Sequence, residues 1–294
     1  MRVVDSHVHL YPPEINRDPA GWARAAREPH WAALCTRRRR DGRPVQAFPS
    51  GDELLRAMDG AGVDRAVLLG WYWENPDTGA AQNRFYAEVA RAHPDRLAAF
   101  ATFHPRAGRA AALAEIRRAH AEGFCGIGEL SPHSQGYGLD DPVFREALAL
   151  AAELRMPVNL HVTDPESRSY PGRVETPLAE IAQLAREMPA VTFILSHWGG
   201  LLPLREAAVA GLTNLYYDSA ASPLLYDAAV WKRFLTVVPA PRVLFGSDFP
   251  LNLYPRLDAD AAMDRLVAEV RAAGLEPAQE ESVLSGTARR LFNW

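Results

Sequence analysis

Short apolar, β-branched runs alternate along the chain with longer stretches of helical spacing rich in Ala, Leu, Arg and Glu. The runs are VVDSHVHL (3–10), RAVLLGW (65–71), LAAFATFH (97–104), GIGEL (126–130), PVNLHV (157–162), TFILSH (192–197), LYYDSA (215–220) and VLFGSDFP (243–250). Their length and composition predict eight strands. Between them GDELLRAMDGAG (51–62), AALAEIRRAHAEG (111–123) and DPVFREALALAAELR (141–155) predict helices. In the last of these Asp141 stands as an N-cap before a proline at the first helical position. DRLVAEVRAAG (264–274) and the segment after Pro277 predict closing helices. Strands alternating with helices imply parallel βαβ units, and eight of them predict a closed (β/α)8 barrel. An open doubly wound sheet is the other arrangement, but it would call for a glycine-rich loop where LYPPEIN (10–16) follows the first strand. The long stretch 11–49, rich in Pro, Arg and Trp, predicts an insertion over the barrel mouth, with room for distortion of the barrel there.

Length fits this architecture, because 294 residues make one barrel domain, 1–294, that includes its insertion. A net charge of -4 speaks against a nucleic-acid surface. Cys35 and Cys125, the two cysteines, form neither a disulfide framework nor a paired metal motif, which suits a reducing cytoplasm. The N-terminus shows no apolar leader, and no apolar run is long enough for a membrane span.

Polar residues are costly inside a buried barrel strand unless they are paired or bind a metal. Five of the eight runs nonetheless carry His, Asp or Glu at or near their C-terminal ends: His7 and His9, Glu129, His161, His197 and Asp248. Barrel active sites lie at that end. His7 and His9 share one side of their strand, with Asp5 one step deeper, because strand side chains repeat with period two. Two inward imidazoles suit one zinc-like ion. His161 and Asp248 bring the donor set to three nitrogens and a carboxylate oxygen, which a divalent ion of the Zn²⁺ type accepts.

VDSHVHL, GIGEL, NLHV, ILSHWGG and FGSDFP together resemble the amidohydrolase superfamily, over nearly the whole chain. They are most similar to the amidohydrolase-related branch that contains aminocarboxymuconate semialdehyde decarboxylase and pyrone dicarboxylate lactonase. The resemblance implies metal ligation by His7, His9, His161 and Asp248, with His197 as a catalytic or second-metal residue. The order His, His, Glu, His, His, Asp is also similar to TatD-type nucleases, where the strand 4 glutamate bridges two ions. Glu129 is therefore either a bridging ligand or a partner that orients a ligand histidine. One divalent ion per chain is expected, Zn²⁺ before Mn²⁺, with two an open alternative. The resemblance also allows a homodimer.

Such a site predicts hydrolysis of an amide, lactone or ester in a small, acidic or unsaturated molecule. Asp248 would shuttle the proton of an activated water, and His197 would steady the developing oxyanion. The alternative is non-oxidative decarboxylation of an unsaturated or aromatic acid at the same metal. Several aromatic-acid decarboxylases of the branch carry glutamate in place of the first histidine, and this chain keeps His7. Trp71 and Trp73, beside Tyr72, offer an aromatic wall, and His133, Tyr137 and Arg173 stand in loops expected at the mouth. The run Arg37–Arg40 reads as a solvated charge cluster or as a carboxylate clamp. His104 is expected to be structural, and Asp218 either supports the site or is structural. His30, His93 and His120 are given no role. Gly199 and Gly200 are expected to let backbone pass close to the site.

Overall fold

A computed structural model describes residues 2–39, 41–252 and 262–294. All eight runs form parallel strands: β1 Val4–Val8, β2 Arg65–Leu68, β3 Leu97–Ala101, β4 Gly126–Leu130, β5 Val158–Leu160, β6 Phe193–Leu195, β7 Leu215–Asp218 and β8 Val243–Leu244. Each pairs with the next in sequence order. The ring closes where Ser6 N donates to Phe245 O at 2.8 Å and His9 N to Phe249 O at 2.8 Å. This is the (β/α)8 barrel that the alternating pattern predicts.

The later strands are shorter than the apolar runs suggest. β5, β6 and β8 stop before His161, His197 and Asp248, and the backbone turns there. His197 (φ 56) and Asp248 (φ 63) are left-handed, a conformation that no ladder accommodates. His161, His197 and Asp248 therefore sit beyond their strands, while His7 and Glu129 sit within β1 and β4.

Inside the barrel, the end away from those residues is sealed by apolar side chains. Val4, Val67, Leu69, Phe100, Ile194 and Leu244 pack with Ala288 and Phe292. Phe100 meets Phe292 edge to face at 5.4 Å. Gly126 makes room for this plug, since a Cβ there would lie 2.3 Å from the Phe100 ring. Around the barrel the predicted helices form close to their expected bounds. Gly51–Ala61 starts in a full capping box between Ser50 and Glu53, and Pro142–Glu153 starts with Asp141 accepting from Phe144 N. Met263–Ala272 and Pro277–Glu281 close the chain.

The insertion folds into three short helices, Pro13–Arg17, Pro19–Ala26 and Pro29–Cys35, each opened by proline. Tyr11, Trp22, Trp31 and Phe48 from this stretch pack with Trp71, Tyr72 and Trp73 after β2. Glu28 pins it further: its carboxylate accepts from Glu74 N at 2.8 Å and Asn75 N at 3.0 Å. Burial pushes this carboxyl up to about 7. Among the described residues no helix is long and apolar enough to cross a membrane. Cys35 and Cys125 are free thiols.

Candidate metal centre

His7 and His9 are buried and project to the same side of β1, as the strand period requires. Both rings are fixed through Nδ1. His7 Nδ1 lies 3.0 Å from Asp218 Oδ2, and His9 Nδ1 lies 3.1 Å from Leu69 O. A carboxylate and a carbonyl only accept, so each Nδ1 carries the proton and donates it. The two Nε2 atoms are left facing each other at 3.2 Å, an approach that a proton on His7 or a metal cation between them reconciles. Two Zn–N bonds of about 2.0–2.1 Å at a tetrahedral angle place their nitrogens about 3.3 Å apart, so the pair fits one divalent ion. Asp248 Oδ1 stands 3.7 Å from His7 Nε2 and 3.5 Å from His9 Nε2.

Glu129 joins this group to a second one. Its Oε2 is 3.9 Å from His7 Nε2 and 3.8 Å from His9 Nε2, while its Oε1 is 3.0 Å from His161 Nδ1 and 3.6 Å from His197 Nε2. His7, His9 and Glu129 form one compact donor set, and Glu129, His161 and His197 form another. The expected foursome of His7, His9, His161 and Asp248 is thus divided: His161 turns toward Glu129 and His197. Gly128 places Glu129 here. Its φ is 136, and a Cβ on it would lie 2.6 Å from Asn159 O, so only glycine passes.

Asp218 organises the floor of the centre. Oδ2 accepts from His7 Nδ1 and Asn159 Nδ2, and Oδ1 accepts from the backbone of His197 and Ala220. A residue whose role the sequence leaves undecided is therefore the one that aims His7 and anchors the turn bearing His197. That turn runs left-handed through five consecutive residues, His197 to Leu201, three of them not glycine. Such backbone is strained. Trp198 holds it in place: its indole is fully buried, donates to Ser222 Oγ at 2.9 Å and meets Trp231 edge to face. Gly199 lies against the Tyr217 ring, where a Cβ would come within 2.9 Å. His197 Nδ1 donates to Ala220 O, which frees Nε2 toward Glu129.

The field at the centre favours cations. Burial opposes charge on His7, yet Asp218, Glu129 and Asp248 outweigh it and hold the imidazole up at about 10. Burial, and then the neighbouring His7 charge, push His9 down. Glu129 is buried too, but His161, His7 and His197 hold its carboxyl well below the usual range. A buried cluster of ionised carboxylates and imidazoles has the chemistry of a divalent-ion site.

A cavity of about 690 Å³ opens above the two donor sets. Trp71 and Tyr72 form one wall, stacked at 4.4 Å, with Trp71 edge-on to His9 at 5.2 Å and Tyr72 beside His161 at 5.0 Å. Of the five residues expected at substrate, Trp71 alone lines this cavity. Trp73 is buried in the aromatic cluster and donates to Gln82. Tyr137 packs on Phe144 and donates to Gln135. His133 faces Glu180, and Arg173 pairs with Glu175. Trp73, Tyr137 and Arg173 are taken up by these contacts, while His133 lies outside the cavity with its Nε2 4.0 Å from Glu180. His104 is structural, bonded to Gln135 O and Arg106 N. Asp164, Tyr170, Tyr226 and Gln46 line the cavity without any signal in the sequence; Asp164 accepts the Tyr226 hydroxyl. The arginine run divides as well. Arg37 reaches the cavity, Arg38 bonds Gly42 O, Arg39 pairs with Asp41, and Arg40 lies outside the described residues.

Barrel, strand-end donors and paired imidazoles define a metal-binding (β/α)8 enzyme. The family model for amidohydrolases (Amidohydro_2) matches residues 4–294, and the chain belongs to that family. It is 26% identical over 270 residues to the 3'-5' ssDNA/RNA exonuclease TatD of Erwinia tasmaniensis, covering 82% of this chain and 93% of that one. In fold it resembles the 2,6-dihydroxybenzoate decarboxylase from Rhizobium, with a TM-score of 0.69, 20% identity, and coverage of 100% of this chain and 99% of that one. It also resembles a 5-carboxyvanillate decarboxylase from Novosphingobium aromaticivorans, solved with manganese and 4-hydroxy-3-methoxy-5-nitrobenzoic acid. There the TM-score is 0.77 at 16% identity, covering 100% of this chain and 96% of that one.

Proposed function

We propose that the protein is a metal-dependent hydrolase of a small amide, lactone or ester. The observation that carries this reading is Glu129 shared between two donor sets, His7, His9 and Asp248 on one side and His161 and His197 on the other. Divalent ions there, Zn²⁺ or Mn²⁺, supply the Lewis acidity that brings a water's pKa toward about 7 and polarises a carbonyl. One ion would be held by His7, His9 and Asp248. Glu129 makes a second possible with His161 and His197.

Asp248 performs the proton transfer. Its carboxylate opens on the cavity, with 15% of the side chain exposed, so it reaches both a water and a leaving group. His197, held by Ala220 O and Asp218, presents a fixed Nε2 to the reacting carbonyl. Trp71 and Tyr72 exclude water from one face and orient a flat substrate. The insertion and barrel work as one domain, because the insertion supplies part of the cavity wall.

Decarboxylation of an aromatic or unsaturated acid is the second reading, supported by the stacked Trp71–Tyr72 wall beside the imidazoles. The ions would then orient the substrate, and a positioned acid would protonate its carbon. A nucleic-acid substrate, as in the TatD relative, fits less well: the cavity is lined by Glu129, Asp164, Glu166 and Asp248 as well as arginines, and the net charge is -4. Metal analysis of protein purified without chelator, followed by screens for lactone and ester hydrolysis against CO₂ release, tests the assignment. One ion under metal excess removes the two-ion form. CO₂ release without hydrolysis replaces the first reading with the second.

A further inference from the structure

Three of the four imidazoles at the centre turn Nε2 toward it, because Nδ1 donates to a group that only accepts: Asp218 for His7, Leu69 O for His9 and Ala220 O for His197. His161 is turned the other way. Its Nδ1 lies 3.0 Å from Glu129 Oε1, and its Nε2 lies 3.3 Å from the hydroxyl of Thr163. The ring packs against Tyr72 and His197, with centroids at 5.0 Å in both cases. Packing alone does not distinguish two imidazole orientations related by a half-turn about χ2, which would exchange each nitrogen for a carbon. The hydrogen bonds at the two nitrogens do. Thr163 is buried and held in turn, its backbone N–H donating to Thr176 Oγ1 at 2.8 Å.

The partner of His161 Nε2 differs in kind from the partners of the other three rings. A hydroxyl both donates and accepts. While Nδ1–H donates to Glu129, Nε2 accepts from Thr163. When Nδ1 gives its lone pair to a divalent ion shared with Glu129 and His197, Nε2 must hold the proton, and Thr163 Oγ1 accepts it. We infer that Thr163 is a positioning residue that holds His161 in both tautomers, so that the second donor set takes its ion with a tautomer change that the first does not need. One proton leaves Nδ1 and one arrives at Nε2 by way of solvent, so the ring stays neutral and the hydroxyl turns round. His7 and His9 keep Nδ1–H throughout, because Asp218 and Leu69 O accept it whether or not an ion is bound. This rests on the metal-centre reading in its two-ion form.

The test uses the full chain at about pH 8, where an ordinary imidazole is neutral, stripped of metal and titrated with Zn²⁺ against a competing chelator. Two steps are expected. Thr163→Val keeps the side-chain shape and removes the hydroxyl. It should weaken the second step about 10–100-fold and leave the first unchanged. Thr163→Ser should restore the second step. The first step reports on folding in every variant. Nitrogen-15 spectra of labelled histidine rings, with His161 assigned by its loss in His161→Gln, read the tautomer directly. Nδ1 should carry a proton in the metal-free chain, and Nε2 alone should carry one with two ions bound. A second step equally strong in Thr163→Val, equal weakening of both steps, or Nδ1–H retained on His161 with two ions bound overturns the inference alone. A single step in wild-type protein under excess Zn²⁺ overturns it together with the two-ion form, while the hydrolase reading on one ion stands. Two Thr163-dependent steps in a protein that releases CO₂ without hydrolysis overturn the hydrolase reading and support the inference.

Discussion

Val4, Val67, Leu69, Phe100, Ile194 and Leu244 line one end of the barrel, and Phe292 closes it. Toward the other end stand His7, His9, Glu129 and Asp218, buried just as deeply. The apolar end stabilises by removing surface from water, about 25 cal/mol per Å². The polar end costs desolvation, and its charges are arranged to be compensated by each other and by a cation. What the difference teaches is that burial alone does not identify a core. The question is what each buried group is bonded to, and at the polar end two imidazole Nε2 atoms meet each other at 3.2 Å.

That contrast can be broken by experiment. The largest effect is expected for Asp248→Asn, which removes the proton acceptor at the cavity. Turnover should fall about 10²–10⁴-fold, with the melting temperature in metal-free buffer unchanged. Retained turnover would take the proton-transfer role away from Asp248. At the other end Phe100→Ala should cost about 3–5 kcal/mol in denaturant unfolding, because the Gly126 and Phe292 neighbours cannot fill the space. Bound metal per folded chain should stay constant. A parallel loss of metal would show that the two ends are coupled.

A smaller effect separates orientation from ligation. Asp218→Asn should weaken metal binding about 10–100-fold, measured against a competing chelator, because the charge facing His7 is lost and one amide oxygen cannot serve the four donors that the carboxylate accepts. An unchanged affinity would make Asp218 an anchor of the His197 turn and nothing more. The smallest effect concerns the insertion. Burial raises the Glu28 carboxyl from 4.5 to about 7, so folded protein binds that proton more tightly than unfolded chain. Its contribution is full below 4.5 and is lost as pH rises through 7. Wild-type protein should therefore lose more melting temperature between pH 5 and pH 8 than Glu28→Gln, followed by thermal denaturation. Parallel curves would mean that Glu28 titrates normally.

Much of this was legible without coordinates. The eight runs become eight strands in order, and the polar residues at their ends meet at one face, because period two and the parallel connection leave little choice. The departures lie where side chains choose partners. Tyr137 and Arg173 sit in loops of suitable composition, but Gln135 and Glu175 take them up locally. Gln46 and Tyr170 carry no pattern at all, and they reach the cavity only because the insertion and the loop after β5 fold over it.

The sequence by itself determined the barrel and the polar residues at its strand ends, since strand period and connection order act along the chain. Tertiary structure decided how the donors divide, with His161 joining Glu129 and His197 rather than His7 and His9. It also decided that Asp218 aims His7, and that the turn at His197 runs left-handed under Trp198. These depend on hydrogen bonds between strands up to 211 residues apart. Such bonds are fixed by three-dimensional closure of the barrel, and no local pattern encodes them.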